Sequence, residues 1–190
     1  MRKIILASSS PRRKKILKNA GIQFKVVTSK INEDLLIKKF QKRGIKNLAR
    51  ILSLFKALSV VSKGGDKIIA GFDTLVVCKN QIISKPKNKK DALKKLLFLS
   101  NKTHKVCTGI CLINLKNKVV LSDCEVTKVT MKKITKKEAI NYINTKEPIG
   151  KAGAYAIQGY GKKFVKNISG DYLNVIGLPL YRFLSMLKTI

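Results

Sequence analysis

The chain has 190 residues, a length that suits one globular domain. Its hydrophobic fraction of 45% allows a sizeable core, which excludes a disordered chain even at a formal net charge of +31. No apolar run approaches the length of a membrane span, and no signal peptide is visible. We therefore predict a single cytoplasmic domain over residues 1–190, with no membrane partner.

The positive charge comes mainly from lysine, since 35 of the 41 cationic residues are Lys and six are Arg. A basic surface attracts polyanions, but proteins that read nucleic acids rely largely on arginine. The chain also lacks helix-turn-helix, zinc and RNP-type patterns. We interpret most of the charge as a solvated surface and predict no specific nucleic-acid partner. A non-enzymatic nucleic-acid-binding protein is the alternative that the charge leaves open.

Cysteine and histidine spacing predicts no structural zinc site, because there is no Cys-x-x-Cys pair and the single His is not at ligand spacing. The cysteines lie in apolar, strand-like runs, which favours small buried hydrophobic residues in a reducing compartment. They are Cys78, Cys107, Cys111 and Cys124. His104 has no nucleophile pattern around it, so we predict a structural role.

The first part of the chain alternates strands and helices, which indicates an α/β fold. The predicted elements are strands over 3–7, 24–28 and 68–77 and helices over 11–19 and 47–62. Ser10 is the expected N-cap of the first helix, with Pro11 at its first position. The strand over 68–77 is expected to break at residues 71–74.

The second part predicts hairpins and shorter helices. The elements are strands over 82–83, 105–115 and 119–131, helices over 92–99, 136–144 and 179–187, and two short strands within 164–178. Alternation over 105–115 and 119–131 predicts a long antiparallel hairpin. Asn88 is a candidate cap, and Thr135 with Glu138 forms a capping box. Parallel crossovers followed by a hairpin predict a mixed sheet.

Four cationic residues occupy the first turn of the predicted helix over 11–19, where the helix macrodipole disfavours positive charge. A bound anion would explain them, held by backbone N–H groups, serine hydroxyls and guanidinium groups. Most cationic residues of this chain are lysines, so the adjacent Arg12 and Arg13 indicate a site that needs the planar, forked shape of a guanidinium group. We predict a phosphate site here. A capped helix with a solvated basic face is the alternative.

Asp73 is embedded in an apolar run, where a carboxylate costs free energy unless it is paired or binds a metal. It could hold a divalent ion or activate a water, and the alternative is a turn Asp bonded to its own backbone. Lys85 precedes a proline that fixes the strand exit, although a surface lysine is the simpler interpretation. Residues 150–161 match neither a P-loop nor a dinucleotide fingerprint. Gln158 in that run could read a base edge, unless the run is a plain surface loop.

Taken in order, these segments resemble the Maf family of nucleoside triphosphate pyrophosphatases. The matching stretches are 6–13, 71–74, 84–86, 99–106, 108–109, 147–148, 151–159 and 174–179. The resemblance implies an α/β fold with a mixed, twisted central sheet flanked by helices, and two lobes around an active cleft, related to inosine triphosphate pyrophosphatases. It implies hydrolysis of a nucleoside triphosphate to the monophosphate and pyrophosphate, dependence on Mg²⁺ or Mn²⁺, and often a homodimer. The family's link to septum formation keeps open a nucleotide- or nucleic-acid-binding regulator of cell division without turnover.

The resemblance also implies roles for individual residues. The catalytic acid falls on Asp73, and the metal ligands fall on Glu33 and Asp73. The implied substrate-binding residues are Ser8, Ser10, Arg12, Arg13, Lys56, Thr74, Lys85 and Gln158. Arg, Thr and Gln at positions 12, 74 and 158 resemble the subgroup that acts on dTTP and UTP. The chain departs from the family pattern at Phe72, where Ala is usual, at Gly150, where Asp is common, and at Asp171, where Ser is common.

Overall fold

The computed structural model describes residues 3–63 and 65–190. Its strands are β1 (Ile4–Leu6), β2 (Phe24–Val26), β3 (Ile68–Cys78), β4 (Gln81–Ile82), β5 (Thr103–Asn114), β6 (Val119–Met131) and β7 (Val165–Ser169). They form one sheet of order β2-β1-β3-β5-β6-β7, with β4 paired to β3. β1 pairs in parallel with β2 and β3, whereas the β3–β4 and β6–β7 pairs are antiparallel. The predicted mixed sheet is therefore confirmed.

The helices in the described residues are α1 (Pro11–Asn19), α2 (Glu33–Phe40), α3 (Ile45–Leu58), α4 (Lys89–Leu99), α5 (Lys136–Asn144), α6 (Tyr172–Ile176) and α7 (Leu180–Thr189). Three predicted caps are present. The Ser10 side chain accepts from the backbone N–H of Arg13, and the Asn88 side chain accepts from that of Asp91. Thr135 forms the predicted capping box with Glu138. Together with the sheet, these helices confirm the α/β class.

Several predicted elements were wrong in detail. β3 continues through residues 71–74 without a break, because glycine at position 71 serves close packing by a helix and not a turn. Residues 172–176 form a helix instead of a strand, since Asp171 Oδ1 accepts from the backbone N–H of Leu173 at 2.7 Å and caps it. Pro179 is the N-cap of α7 and not its first residue. α2 was not predicted, although Asn32 caps it.

The chain divides into two compact units. The first contains the described residues up to Thr74, together with Thr108–Glu125 and Gly177–Ile190, and the second contains Leu75–Cys107 and Val126–Ile176. A single domain over 1–190 stays a prediction. No helix within 3–63 and 65–190 combines the length and apolar character needed to cross a membrane.

Each unit has a hydrophobic core of its own. In the first, Ile5 and Ile69 pack with Cys111, and in the second, Leu96 and Val129 belong to a larger cluster that includes Cys78. Of the four cysteines, Cys78, Cys107 and Cys111 are buried, as predicted. The prediction that all of them are buried was wrong for Cys124, which is partly exposed on β6.

Candidate active site

Small residues let α3 lie close against strands β3 and β5. Ala49, Ser53 and Ala57 recur every four residues and so share one face of α3. A side chain at Gly71 would overlap the carbonyl oxygen of Ser53 and come within 2.9 Å of the Ala57 nitrogen. One at Gly109 would overlap the carbonyl of Ala49. The two glycines therefore set how near the backbone of α3 comes to the strands.

This close approach places an ammonium group beside a buried carboxylate. Side chains alternate along a strand, so Asp73 points to the same face as Gly71, toward α3. Lys56 Nζ forms ion pairs with Asp73 Oδ1 and, at 2.8 Å, with Oε1 of Glu33 in the first turn of α2. The side chains of Lys56 and Asp73 are only 11% and 6% exposed, and their pairing offsets the cost of burying each charge. Asp73 is thus a strand residue with an ionic partner, which rules out the turn alternative.

The guanidinium group of Arg13 is held by three hydrogen bonds. Nε donates to the carbonyl of Gly177 at 2.8 Å, Nη1 to Ser8 Oγ at 3.1 Å and Nη2 to Thr74 Oγ1 at 3.1 Å. Burial lowers the pKa of Arg13 to about 10, with the Asp73 charge opposing the shift, so the group is charged at neutral pH. A guanidinium has five N–H donors, so two remain for a ligand.

The two adjacent arginines differ in their surroundings. Arg12 is half-buried, its guanidinium group forms no hydrogen bond or ion pair with any residue in 3–63 or 65–190, and burial lowers its pKa. Nearby, Ser8 Oγ accepts from the backbone N–H of Ser10 at 3.3 Å. Arg13 is therefore built into the fold, whereas the Arg12 guanidinium is available to an anion at the N-terminus of α1.

The other face of β3 carries Phe72 and Thr74. The Phe72 ring lies 5.4 Å from that of Phe183 in α7 and 5.8 Å from the guanidinium carbon of Arg13. The hydroxyl oxygens of Thr74 and Thr108 are 3.0 Å apart. Phe72, one of the three departures from the family pattern, therefore fills core space beside the arginine. Thr108 was not predicted as a site residue, although residues 108–109 are among the stretches that carry the resemblance.

Eight of the predicted site residues lie in the first unit: Ser8, Ser10, Arg12, Arg13, Glu33, Lys56, Asp73 and Thr74. Lys85 and Gln158 lie in the second unit, and both side chains are exposed. The backbone carbonyl of Lys85 accepts from Lys95 Nζ at 3.0 Å, which fixes the chain just after β4. The first unit thus combines a buried acid with the serine and arginine groups of a helix N-terminus.

A sequence model of the Maf family, described as Maf-like protein, matches residues 3–190. The chain belongs to this family. A dTTP/UTP pyrophosphatase of Bacillus cereus (strain G9842) is 42% identical over 188 residues, which are 99% of this chain and 95% of the relative. The dTTP/UTP pyrophosphatases of Bacillus anthracis and of Thermoanaerobacter sp. (strain X514) are 43% and 42% identical, over 99% and 98% of this chain and 95% of each relative.

The acidic pair of this Maf family member offers oxygen ligands from two elements, Glu33 in α2 and Asp73 in β3. Mg²⁺ commonly uses one or two carboxylates and takes its other ligands from phosphates and waters. Among residues 3–63 and 65–190, no three His, Cys, Asp or Glu side chains converge to hold a metal ion. The two carboxylates therefore suit an ion shared with a bound phosphate better than one held by protein groups alone.

His104 lies in the second unit. Its Nε2 is 2.8 Å from the hydroxyl oxygen of Tyr155, and the two rings meet edge to face. Within the described residues its Nδ1 is buried without a hydrogen-bond partner. Burial lowers the pKa of His104 to about 4, so the ring is neutral at physiological pH. The surroundings agree with the structural role predicted for this residue.

Proposed function

We propose that this protein hydrolyses dTTP and UTP to the nucleoside monophosphate and pyrophosphate. The observation that carries the proposal is the position of the buried carboxylate of Asp73. The next residue of β3, Thr74, accepts a hydrogen bond from Arg13 at the start of α1, and the Asp73 charge acts on the same guanidinium group. The proposed general base and the proposed phosphate-binding end of α1 then belong to the same site. The names of the relatives support the choice of substrates.

In the proposed reaction, a water oxygen attacks the α-phosphorus and forms a new P–O bond. The bond from that phosphorus to the oxygen bridging to the β-phosphate breaks, and pyrophosphate leaves. The water proton passes to the Asp73 carboxylate. Such phosphoryl chemistry depends mostly on positioning and charge neutralisation. The proposed phosphate ligands are Ser8, Ser10, Arg12, Arg13 and Lys85.

The proposal includes Glu33 and Asp73 as the residues that would hold a Mg²⁺ or Mn²⁺ ion. Such an ion supplies neutralisation of the charge that develops on the phosphates. Lys56 holds the two carboxylates together in the protein. We propose that the positive charge of its ammonium group also attracts the negatively charged triphosphate.

Base choice is proposed to depend on Arg12, Thr74 and Gln158. Thr74 has its hydroxyl held by Arg13 and Thr108, so its orientation is set before a nucleotide binds. Gln158 offers an amide with both a donor and an acceptor, as the edge of a pyrimidine base requires. We also propose a homodimer that acts in the cytoplasm. Sedimentation analysis and fractionation of cells test those two points.

The test is pyrophosphate release with Mg²⁺ or Mn²⁺ from dTTP, UTP, CTP, GTP, ITP and 7-methyl-GTP. Asp73→Asn should lower kcat about 100-fold or more, the scale of a lost general base, while the fold stays intact. Asp66→Asn is the matched control, because its side chain is 82% exposed and should leave turnover unchanged. Near wild-type turnover by Asp73→Asn would contradict the role of that residue. Turnover led by another base would overturn the choice of substrates.

A further inference from the structure

A single carboxylate holds the end of the glycine-rich segment 150–161. Glu147 Oε2 accepts a hydrogen bond from the backbone N–H of Gly161 at 3.0 Å. The Cα of Gly159 lies so near that a side chain there would overlap Glu147 Oε1. The absence of a Cβ at position 159 is therefore a requirement of this contact. Glu147 and the segment belong to the same unit.

Tyr142 of α5 links the Glu147 carboxylate to the backbone that precedes Gln158. Its phenol oxygen accepts from the backbone N–H of Ala156 at 3.0 Å and is hydrogen-bonded to the Glu147 carboxylate. The side chain is only 1% exposed, and burial together with the Glu147 charge raises the pKa of the phenol. The phenol therefore stays protonated and donates to the carboxylate. Its ring lies edge to face on Phe164, with the ring centres 5.3 Å apart.

The carboxylate and the phenol fix the backbone on both sides of Gln158. Ala156 is two residues before it, and Gly161 is three residues after it. The Gln158 side chain is exposed, and across 3–63 and 65–190 its amide has no hydrogen-bond partner. A recognition group on an anchored backbone loses less conformational entropy on binding than one on a loose loop.

We propose that Glu147, supported by Tyr142, is a positioning residue that holds Gln158 ready to bind the base. This inference rests on the proposed function, in which Gln158 contacts the nucleobase. Glu147 contacts only the protein in this role. Its removal should therefore act on nucleotide affinity and base preference, and much less on the chemical step.

The first test compares kcat and KM for dTTP and CTP in Glu147→Ala and Glu147→Gln. We expect Glu147→Ala to raise KM for dTTP about 10-fold with little change in kcat, and to reduce the preference for dTTP over CTP. Glu147→Gln keeps an acceptor for the Gly161 N–H and should recover part of the loss. Glu138→Gln is the control, because it removes a carboxylate from the same unit that caps α5 and does not contact the segment.

A double-mutant cycle with Gln158→Ala decides whether Glu147 acts through Gln158. In the Gln158→Ala background, Glu147→Ala should have no further effect on the dTTP/CTP preference. Additive effects on that preference, or an unchanged preference in Glu147→Ala alone, would overturn the inference. Faster hydrogen exchange of the Ala156 and Gly161 amides in Glu147→Ala is also expected, and unchanged exchange would contradict the proposed anchor.

Failure of the proposed function can be told apart from failure of this inference. If wild-type protein hydrolyses none of the triphosphates, the proposed activity is wrong. The comparison is then made on the Kd values of dTTP and CTP. A preference for dTTP that disappears in Glu147→Ala supports the inference, and one that is absent or survives the substitution overturns it.

Discussion

The ammonium group of Lys56 pairs with the carboxylate of Asp73, although the two residues are 17 positions apart on different elements. The contact exists because Gly71 has no side chain and α3 can lie directly on β3. Glu33 shares the same ammonium group. Removal of Lys56 would leave two acidic side chains close together with no positive charge between them.

Lys56→Met should therefore lower the free energy of unfolding by about 3 kcal/mol, the scale for losing one partner of a buried ion pair. Lys46→Met is the matched control on α3, because Lys46 is exposed and should change stability by less than about 0.5 kcal/mol. Urea unfolding measures both. In the double variant Lys56→Met/Asp73→Asn, part of the stability should return. If Lys56→Met were as stable as the control Lys46→Met, the structural importance of the pair would be contradicted.

Gly71→Ala should destabilise the protein and lower its activity together. The added methyl group meets the backbone of α3 at Ser53, which cannot move as a flexible side chain can. We expect a loss of about 3 kcal/mol, the upper range for overpacking, measured by urea unfolding. Gly150→Ala is the comparison, since open space surrounds that position and only its φ of +72° opposes a side chain. A larger loss for Gly150→Ala would argue against close packing at Gly71.

The adjacent arginines should respond differently to lysine. Lysine cannot reproduce the three hydrogen bonds that Arg13 makes, so Arg13→Lys should lower the unfolding temperature by several degrees. Arg12→Lys should leave that temperature unchanged and raise KM for dTTP. Thermal unfolding and steady-state kinetics on the same samples separate the two effects. The reverse pattern would mean that Arg12 is the structural member of the pair.

Stability should fall in mild acid because of His104. Its pKa is lowered from 6.5 to about 4 in the folded protein, so the unfolded chain binds the proton more readily. The resulting stability is complete above pH 6.5 and is lost as pH falls toward 4, by up to about 3 kcal/mol. Urea unfolding from pH 7.5 to 4.5 should show a shallower pH dependence for His104→Gln than for the wild type. Parallel curves would exclude His104 as the source.

Features that depend on neighbouring residues were predictable from the sequence alone. The caps of α1, α4 and α5 are local, because each capping side chain bonds to a backbone group three residues away. The stretches that carry the Maf resemblance are continuous in the chain, so family and fold class were predictable too. The local sequence led to a wrong prediction at residues 71–74. The glycine there suggested a break in the strand, but it allows α3 to pack closely against an unbroken β3.

How the site residues are used depends on contacts that form only in the folded chain. Arg12 and Arg13 look equivalent in the sequence, but the hydrogen-bond partners of Arg13 lie up to 164 residues away. Within the part of the chain that the structure describes, the Arg12 guanidinium has no such partner. Lys56 and Asp73 likewise carry no sequence signal that they pair, since the helix and the strand meet only after packing. Glu147 appeared as part of a matched stretch, and its contacts with Tyr142 and Gly161 arise from the folded loop. Such contacts join residues distant in the chain, and hydrophobic periodicity and capping rules describe only near neighbours.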